Sequence, residues 1–176
     1  MHVMSILPYL EPGKLEEIHF SADSRRLFFF REDSGRLVPT PLSYVEEDIS
    51  RIPELVELEQ WKQAKKLKIE RIMADLTVHN IAHFENFEGK LNTVGPADLL
   101  FLKNALMNSP KLSKSFEIDY NYMDIATVHR MFRNGSEGAN GMNDFIREYK
   151  ILDEKLKLVV KSVPSKFHAY FVQNCG

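Results

Sequence analysis

The sequence predicts an α/β fold in which helix–strand units build one curved sheet, with the helices on one side and β-hairpins added, as in leucine-rich-repeat arrays. Helical and strand-like periodicities alternate along the 176 residues, a pattern typical of a sheet built through crossover helices. Hydrophobic residues make up 44% of the chain and charged residues 27%, as in ordinary folded proteins. The helix–strand unit recurs around residues 6–20, 53–71, 96–120 and 123–160, without the fixed period of a strict repeat.

The sequence of the N-terminal region predicts a turn followed by a strand. SILPYL begins a short helical turn, and the pair Pro12-Gly13 is a strong turn signal. Leu15, Ile18 and Phe20 then lead into a strand. We therefore expect the first helix–strand unit to end near residue 20.

A β-hairpin is predicted next. LFFFRE (27–32) and RLVPT (36–40) flank a short loop that contains glycine. Phe28 and Phe30 lie on one face of the first hairpin strand and Phe29 lies on the other. At least one face therefore exposes aromatic surface unless another element covers it, so Phe28 and Phe30 are candidate partner-binding residues.

The stretch around the only tryptophan, Trp61, runs a helix into a strand without glycine or proline between them. Leu55, Leu58 and Trp61 lie three apart and predict one helix with Trp61 in the core. The period then changes, because Leu67 and Ile69 alternate with charged residues as in a strand. A tight helix-to-strand connection accounts for the missing loop.

The middle of the chain predicts two further strands and a long helix. HFENFEGKL (83–91) ends in a strand, and Gly95-Pro96 opens a helix that Pro110 terminates. SKSFEIDYNY (113–122) follows as a strand with its aromatic and aliphatic residues on one side. The apolar face of the helix is expected to contain Leu99, Phe101, Leu102, Ala105 and Leu106.

The C-terminal third predicts a short helix and a hairpin. The helix is expected over residues 123–132, followed by a flexible glycine-containing loop over 133–141. MNDFIREYK (142–150) is predicted to form a short helix or turn. KLKLVVK (155–161) and KFHAYFV (166–172) are predicted to form the second hairpin.

The charge composition argues against a nucleic-acid binder. The net charge is −2, with 25 acidic and 23 basic residues, whereas neutralising phosphates needs a basic excess. The nearest basic cluster is KQAKKLK (62–68), and glutamates flank it. Lys65, Lys66 and Lys68 are candidate contacts for an acidic partner, and direct RNA binding through this cluster is an alternative function.

Catalytic, metal-binding and cofactor-binding residues are not predicted. His79 and His83 have the helical spacing of a zinc pair, but Asn80 stands where the usual glutamate would follow the first histidine, and no cysteine or third histidine lies near them in sequence. A metal-dependent enzyme built on them is the remote alternative. GSEGANG (135–141) lacks the lysine of a phosphate-binding loop, and no nucleophile elbow occurs.

The cysteine and hydropathy patterns predict an intracellular protein. The single cysteine, Cys175, rules out a disulfide framework within the chain and fits a reducing compartment. No apolar run approaches the length of about 20 residues that a membrane span needs. We expect the protein in the cytoplasm, with the nucleus as the alternative, and no membrane partner.

Four blocks carry a family resemblance. ILPYLEPGKLEEIHF, ELEQWKQAKKLKI, HFENFEGKL and ADLLFLKNALMNSPKLSKSFEIDY occur in that order, and together they resemble the FTH domain (FOG homology domain) of Caenorhabditis nematode F-box proteins. The most specific piece is EQWKQAKKLKI (59–69). The resemblance covers residues 5–122, and residues 123–176 diverge. We expect residues 1–176 to form a single FTH-like domain.

The resemblance implies a non-catalytic domain that recognises a protein. In that family an F-box usually precedes the FTH domain and binds a Skp-type adaptor of a cullin ubiquitin ligase. We expect that adaptor to bind only through an F-box, which this chain does not contain, and we expect the chain to be an excised domain. The family's namesake recruits a germline RNA-binding protein to repress translation in sex determination. The resemblance therefore implies an RNA-binding protein or a ligase target as partner, and it assigns no site residues.

Overall fold

A computed structural model describes the protein over residues 7–21, 28–32, 37–39, 52–92, 94–121, 125–132, 136–137, 145–151, 155–163 and 165–173. The strands are β1 (Leu15–Ser21), β2 (Phe28–Glu32), β3 (Leu37–Pro39), β4 (Lys66–Ala74), β5 (Asn86–Leu91), β6 (Ser115–Asp119), β7 (Ser136–Glu137), β8 (Phe145–Lys150), β9 (Leu156–Val163) and β10 (Lys166–Gln173). The helices are α1 (Ile52–Leu55), α2 (Glu59–Gln63), α3 (Val78–Ile81), α4 (Pro96–Asn108) and α5 (Ile125–Met131), and Leu7–Tyr9 forms a 3₁₀ turn.

The described strands form one mixed sheet in the order β3-β2-β1-β4-β5-β6-β10-β9-β8-β7. The neighbours β1, β4, β5 and β6 are parallel and follow chain order. The pairs β2–β3 and β9–β10 are antiparallel, which confirms both predicted hairpins. The predicted α/β class is therefore confirmed.

One face of the sheet joins the helices in a single hydrophobic core. Alternate residues of the strands are buried, such as Leu67 in β4 and Phe87 in β5. They belong to the same cluster as Leu99, Leu102 and Leu106 of α4. The described helices thus pack on one side of the sheet, where apolar burial supplies most of their stability because they are short.

A β-bulge aligns the first strand with this core. The register of β1 against β2 shifts between Leu15 and Glu17, so Glu16 is the extra residue. Because the bulge changes the alternation, Leu15 and Ile18 are both buried although they lie an odd number of residues apart. The Glu16 carbonyl also accepts a hydrogen bond of 3.0 Å from the Lys65 N–H, one residue before β4 begins.

A second irregularity lies between β4 and β5. The register shifts between Lys68 and Met73, and Gly89 of β5 is the residue beside it. A Cβ on Gly89 would lie 2.9 Å from the Ile69 Cβ and 3.3 Å from the Ile69 carbonyl oxygen. Only glycine leaves room for this close approach of the two backbones.

The prediction of one continuous helix before β4 is wrong. The chain forms α1 and α2 with a turn between them, and Leu58 adopts the extended conformation, with φ −70° and ψ 140°. The N–H of Leu58 donates to the Leu55 carbonyl at 3.1 Å, a three-residue bond that interrupts the α-helical ladder.

The core position of Trp61 is confirmed. Its side chain is 1% exposed, and its ring makes an edge contact with Phe84, with centroids 5.3 Å apart. The indole Nε1–H donates to the Asn80 carbonyl at 3.2 Å, which satisfies its polar group. Only Ala64 and Lys65 separate α2 from β4, as the change of period predicts.

Helix α4 matches its predicted bounds. Pro96 is its first residue, and the Gly95 N–H donates to the Asp98 carboxylate at 2.8 Å. Leu99, Leu102 and Leu106 are buried as expected. The assignment of Phe101 to the apolar face is wrong, because this ring is 38% exposed and lies against His79 with centroids 4.0 Å apart.

The C-terminal region differs most from expectation. Residues 145–150, predicted as a helix or turn, form strand β8, and Ser136–Glu137 within the predicted flexible loop pairs with it as β7. Arg147 and Tyr149 of β8 are buried, and a buried arginine hides the usual apolar alternation. The Tyr149 hydroxyl donates to the Phe132 carbonyl at 2.9 Å, and burial raises the pKa of Tyr149 to about 12.

Among the residues that the structure describes, no helix has the length and apolarity needed to cross a membrane.

Candidate functional site

Polar side chains cross the sheet on the face opposite the core. One row runs in register over six neighbouring strands, from β1 through β4, β5, β6 and β10 to β9. Its members are His19, Lys68, Glu88, Glu117, His168 and Lys161. We call the sheet face that carries this row the open face. Parallel strands are usually covered on both faces, so partly exposed charges above β4, β5 and β6 are unusual.

One group of ion pairs lies over β1, β4 and β5. The Lys68 Nζ is 2.8 Å from Glu70 Oε1 and 3.2 Å from Glu88 Oε1. His19 Nε2 lies 3.3 Å from the other Glu70 oxygen. The hydrogen bond from Lys68 lowers the pKa of Glu70, and the bond to Glu70 raises the pKa of Lys68. Because these groups are partly exposed, each pair contributes only about 0–1 kcal/mol to stability.

A second group over β6 and β10 repeats the same composition. Lys166 Nζ binds the Glu117 carboxylate and lies 3.3 Å from Asp119 Oδ1. His168 Nδ1 lies 3.5 Å from the second Glu117 oxygen. The hydrogen bond from Lys166 lowers the pKa of Glu117, while burial lowers the pKa of His168. Each group thus holds a lysine between two carboxylates, with a histidine beside one of them.

The lysines of the predicted cluster lie in different surroundings in the structure. Lys65 pairs with Glu16 at 3.1 Å at the edge where the parallel strands begin. Lys66 is exposed on the open face, and Lys68 is held by Glu70 and Glu88. Lys62 lies 3.6 Å from both Glu57 and Glu59 in the helix layer. The cluster is therefore largely neutralised and does not form one basic patch.

The other two predicted contact residues lie in strand β2. Phe28 and Phe30 are the register partners of Phe20 and Ile18 in β1. The structure describes the backbone of β2, and the side chains of Phe28 and Phe30 lie outside the described part. Their role in binding stays a prediction.

Sequence reasoning missed the C-terminal part of the open face. Tyr170 of β10 is 38% exposed there and pairs in register with Val159 of β9, which pairs with Glu148 of β8. The signal was present in KFHAYFV, since His168 and Tyr170 alternate with the buried Phe167, Ala169 and Phe171.

The two histidines of the remote metal alternative are not brought onto one helical face. Helix α3 ends at Ile81, before His83. His83 Nε2 lies 3.0 Å from the Trp61 carbonyl oxygen, and its partial burial lowers its pKa. Within the described ranges, no three His, Cys, Asp or Glu side chains are grouped in a way that could hold a metal ion.

The described strands thus form a sheet with helices on one side and a partly exposed polar face on the other. The chain belongs to the FTH domain family, whose model matches residues 1–135. FTH domains are generally protein-interaction domains. The match ends before β7, so strands β8, β9 and β10 lie beyond it.

No protein among those with curated functions matches the chain. One solved structure, an S-adenosylmethionine-dependent methyltransferase from Clostridium acetobutylicum, is 10% identical over 73% of this chain and 54% of that chain. Its TM-score of 0.18 is too low to carry an argument about fold or function.

Proposed function

We propose that this FTH domain is a non-catalytic recognition module that binds a protein partner through the open face of its sheet. The observation that carries the proposal is the row of polar side chains from His19 to Lys161, which lies on the side away from the core. Solenoid-like arrays use such exposed sheet faces for binding. The family assignment supports the same conclusion.

The proposed cellular role is that of the recognition part of an F-box-type adaptor. Its partner would be either a target of a cullin ubiquitin ligase or a germline RNA-binding protein whose recruitment represses translation in sex determination. A Skp-type adaptor would bind through an F-box rather than through this domain. Both roles belong in the cytoplasm or nucleus, and a fluorescent fusion would test that location.

We further propose that the central strands form a short leucine-rich-repeat-like array. β1, β4, β5 and β6 are parallel, neighbouring and in chain order, and helices precede β4, β5 and β6. An experimental structure in which the sheet curves with the open face concave would support this proposal, and a flat or oppositely curved sheet would contradict it.

A charge-exchange variant of the open face tests the recognition function. The variant Lys66→Glu, Glu88→Lys changes two exposed positions without changing net charge, and surface ion pairs contribute little to stability. The matched control, Lys62→Glu, Glu59→Lys, exchanges a pair 3.6 Å apart in the helix layer. Both variants should melt within about 2 °C of the original chain, because each exchange changes the free energy of unfolding only slightly.

The three immobilised proteins are then incubated with Caenorhabditis germline extract, and the retained proteins are identified by mass spectrometry. We expect the original chain and the control to retain the same proteins, and the open-face variant to lose them. Equal retention by both variants, or retention by the original chain no better than by heat-denatured chain, would contradict the proposal.

A further inference from the structure

Nine side-chain positions on β8, β9 and β10 form a patch with its own chemistry at the C-terminal end of the open face. The register places them in three rows of three. The rows are His168, Lys161 and Ile146; Tyr170, Val159 and Glu148; and Val172, Lys157 and Lys150. We call these nine residues the C-terminal patch.

The centre of the C-terminal patch is apolar. Tyr170 exposes 38% of its surface, while Val159 beside it is only 7% exposed. Val159 is the one buried hydrophobic residue of β9 that lies outside the hydrophobic core cluster, as its place on the open face requires. Ile146 and Val172 are half-buried at opposite corners. Tyrosine is enriched at binding hot spots, so the exposed Tyr170 is the strongest contact candidate of the patch.

The rim of the C-terminal patch carries an excess of positive charge. It contains three lysines and a single carboxylate, Glu148, which lies 3.6 Å from Lys157. Lys150 and Lys161 take part in none of the ion pairs between described residues, whereas Lys157 does. The ion-paired groups over β4, β5 and β6, by contrast, match each lysine with two carboxylates. The charge that remains available for a partner is therefore positive.

The size of the C-terminal patch decides what kind of partner fits it. Two strand spacings give a width of about 10 Å, and four residue steps give a length of about 13 Å. This footprint is well below the roughly 800 Å² per partner of a standard protein interface. It matches a few residues of one peptide segment.

We propose that the C-terminal patch binds a short acidic segment of a protein partner, with one aromatic or aliphatic side chain placed against the exposed ring of Tyr170. This inference rests on the proposed recognition function and adds the place and the chemistry of the contact. The strands that build the patch lie beyond residue 135, where the family match ends. The patch would therefore give this chain a contact additional to the family-matched region.

Selection from random 12-residue peptides displayed on phage tests the inference. The full chain is the bait, and the Tyr170→Ser chain is used to remove peptides that bind elsewhere. The peptides retained should contain more Asp and Glu than Lys and Arg, next to one large apolar residue. Retained peptides without an acidic excess, or no retained peptides at all, would overturn the proposal.

Fluorescence anisotropy then locates the contact. We expect Tyr170→Ser and Lys161→Glu each to weaken binding of the best labelled peptide by about tenfold or more, as for loss of a hot-spot contact. Tyr9→Ser and Lys62→Glu are matched controls, since Tyr9 is exposed at the N-terminal turn and Lys62 lies in the helix layer. Equal weakening by controls and patch variants would overturn the proposal.

Two further results separate this inference from the function it rests on. A labelled single-stranded RNA that binds the chain, loses binding with Lys161→Glu and displaces the peptide would overturn the acidic-peptide proposal. If the patch variants leave the extract proteins bound while Lys66→Glu, Glu88→Lys removes them, the recognition function holds and the patch assignment fails.

Discussion

Gln60 is a buried polar residue that fastens the N-terminal turn to the helix layer. The residue is only 6% exposed. Its amide Nε2 donates to the Leu10 carbonyl at 2.7 Å and to the Pro8 carbonyl at 3.2 Å. Gln63, three residues later, is exposed, and its side-chain amide donates to the Glu59 carboxylate of its own helix at 3.3 Å. Two glutamines of one helix thus have very different roles.

Replacing Gln60 should therefore cost far more than replacing Gln63. In Gln60→Met the two carbonyls lose their donor in a poorly hydrated place, and we expect the free energy of unfolding to fall by about 1–3 kcal/mol. Gln63→Met should change it by less than about 0.5 kcal/mol. Urea denaturation of both variants measures the difference, and equal stabilities would show that the N-terminal turn is not held by Gln60.

The histidines make stability depend on pH. Burial lowers the pKa of both His83 and His168, so the unfolded chain takes up protons at a higher pH than the folded protein does. The stability contributed by these groups is fully present above the unfolded pKa of about 6.5 and is lost as the pH falls from that value through the lower pKa of the folded protein. The carboxylates Glu70 and Glu117, whose pKa values are lowered by lysine, act at more acidic pH.

The stability of the double variant His83→Gln, His168→Gln should depend less on pH than that of the original chain. Glutamine at position 83 keeps an N–H donor for the Trp61 carbonyl while removing the titration. We expect its melting temperature to fall less than that of the original chain between about pH 7.5 and pH 5.5, measured by circular dichroism. Parallel melting curves of the two proteins over this range would contradict the assignment.

At the scale of secondary structure, the irregularity between β4 and β5 depends on one glycine. A Cβ on Gly89 would meet the Ile69 Cβ at 2.9 Å and the Phe87 Cζ at 3.2 Å. Gly95 offers a matched contrast, because a Cβ there would meet only the Asp98 carboxylate, at 3.4 Å. Its backbone, with φ −105° and ψ 164°, suits any residue at the N-cap of α4.

Gly89→Ala should lower the free energy of unfolding by about 1–3 kcal/mol, as overpacking does in cores. Gly95→Ser should leave it unchanged or raise it by a few tenths of a kcal/mol, since serine caps a helix slightly better than glycine. Chemical denaturation measures both. A Gly89→Ala protein as stable as the original would mean that β4 and β5 can separate without cost.

At the scale of the whole molecule, the C-terminal hairpin is inserted into the sheet and does not merely extend it. Strand β10 lies between β6 and β9, and its Phe167 and Ala169 are fully buried. Removing it would expose the edge of β6 and the apolar face beneath. The region matched by the family model therefore depends on strands that the match does not include.

A chain that ends at residue 135 should accordingly lose cooperative unfolding and aggregate. A chain that ends at Gln173 keeps every described strand, and we expect it to melt like the original. Thermal melting and size-exclusion chromatography distinguish the two. A cooperative, monomeric 1–135 protein would show that the matched region folds alone and that residues 1–176 are not one interdependent domain.

Local signals in the sequence were sufficient for much of this fold. Periodicity located β1, β4, β6 and α4, and Trp61 was assigned to the core from its helical spacing, because these signals depend on neighbours within a few residues. The break between α1 and α2 and the strand β8 could not be predicted from these local signals. The extended Leu58 and the buried Arg147 depend on packing against residues far away in the sequence.

The α/β class, the two hairpins, the family and the charged positions all follow from local patterns along the chain. The neutralisation of Lys68 by Glu70 and Glu88, and the position of Tyr170 beside Val159 among lysines, follow from the folded arrangement instead. They do so because strand order is a non-local property. Side chains become neighbours on a face when strands that are far apart in the sequence pair with each other. An alternating pattern shows which residues of one strand share a face, but it does not show which strand lies beside it.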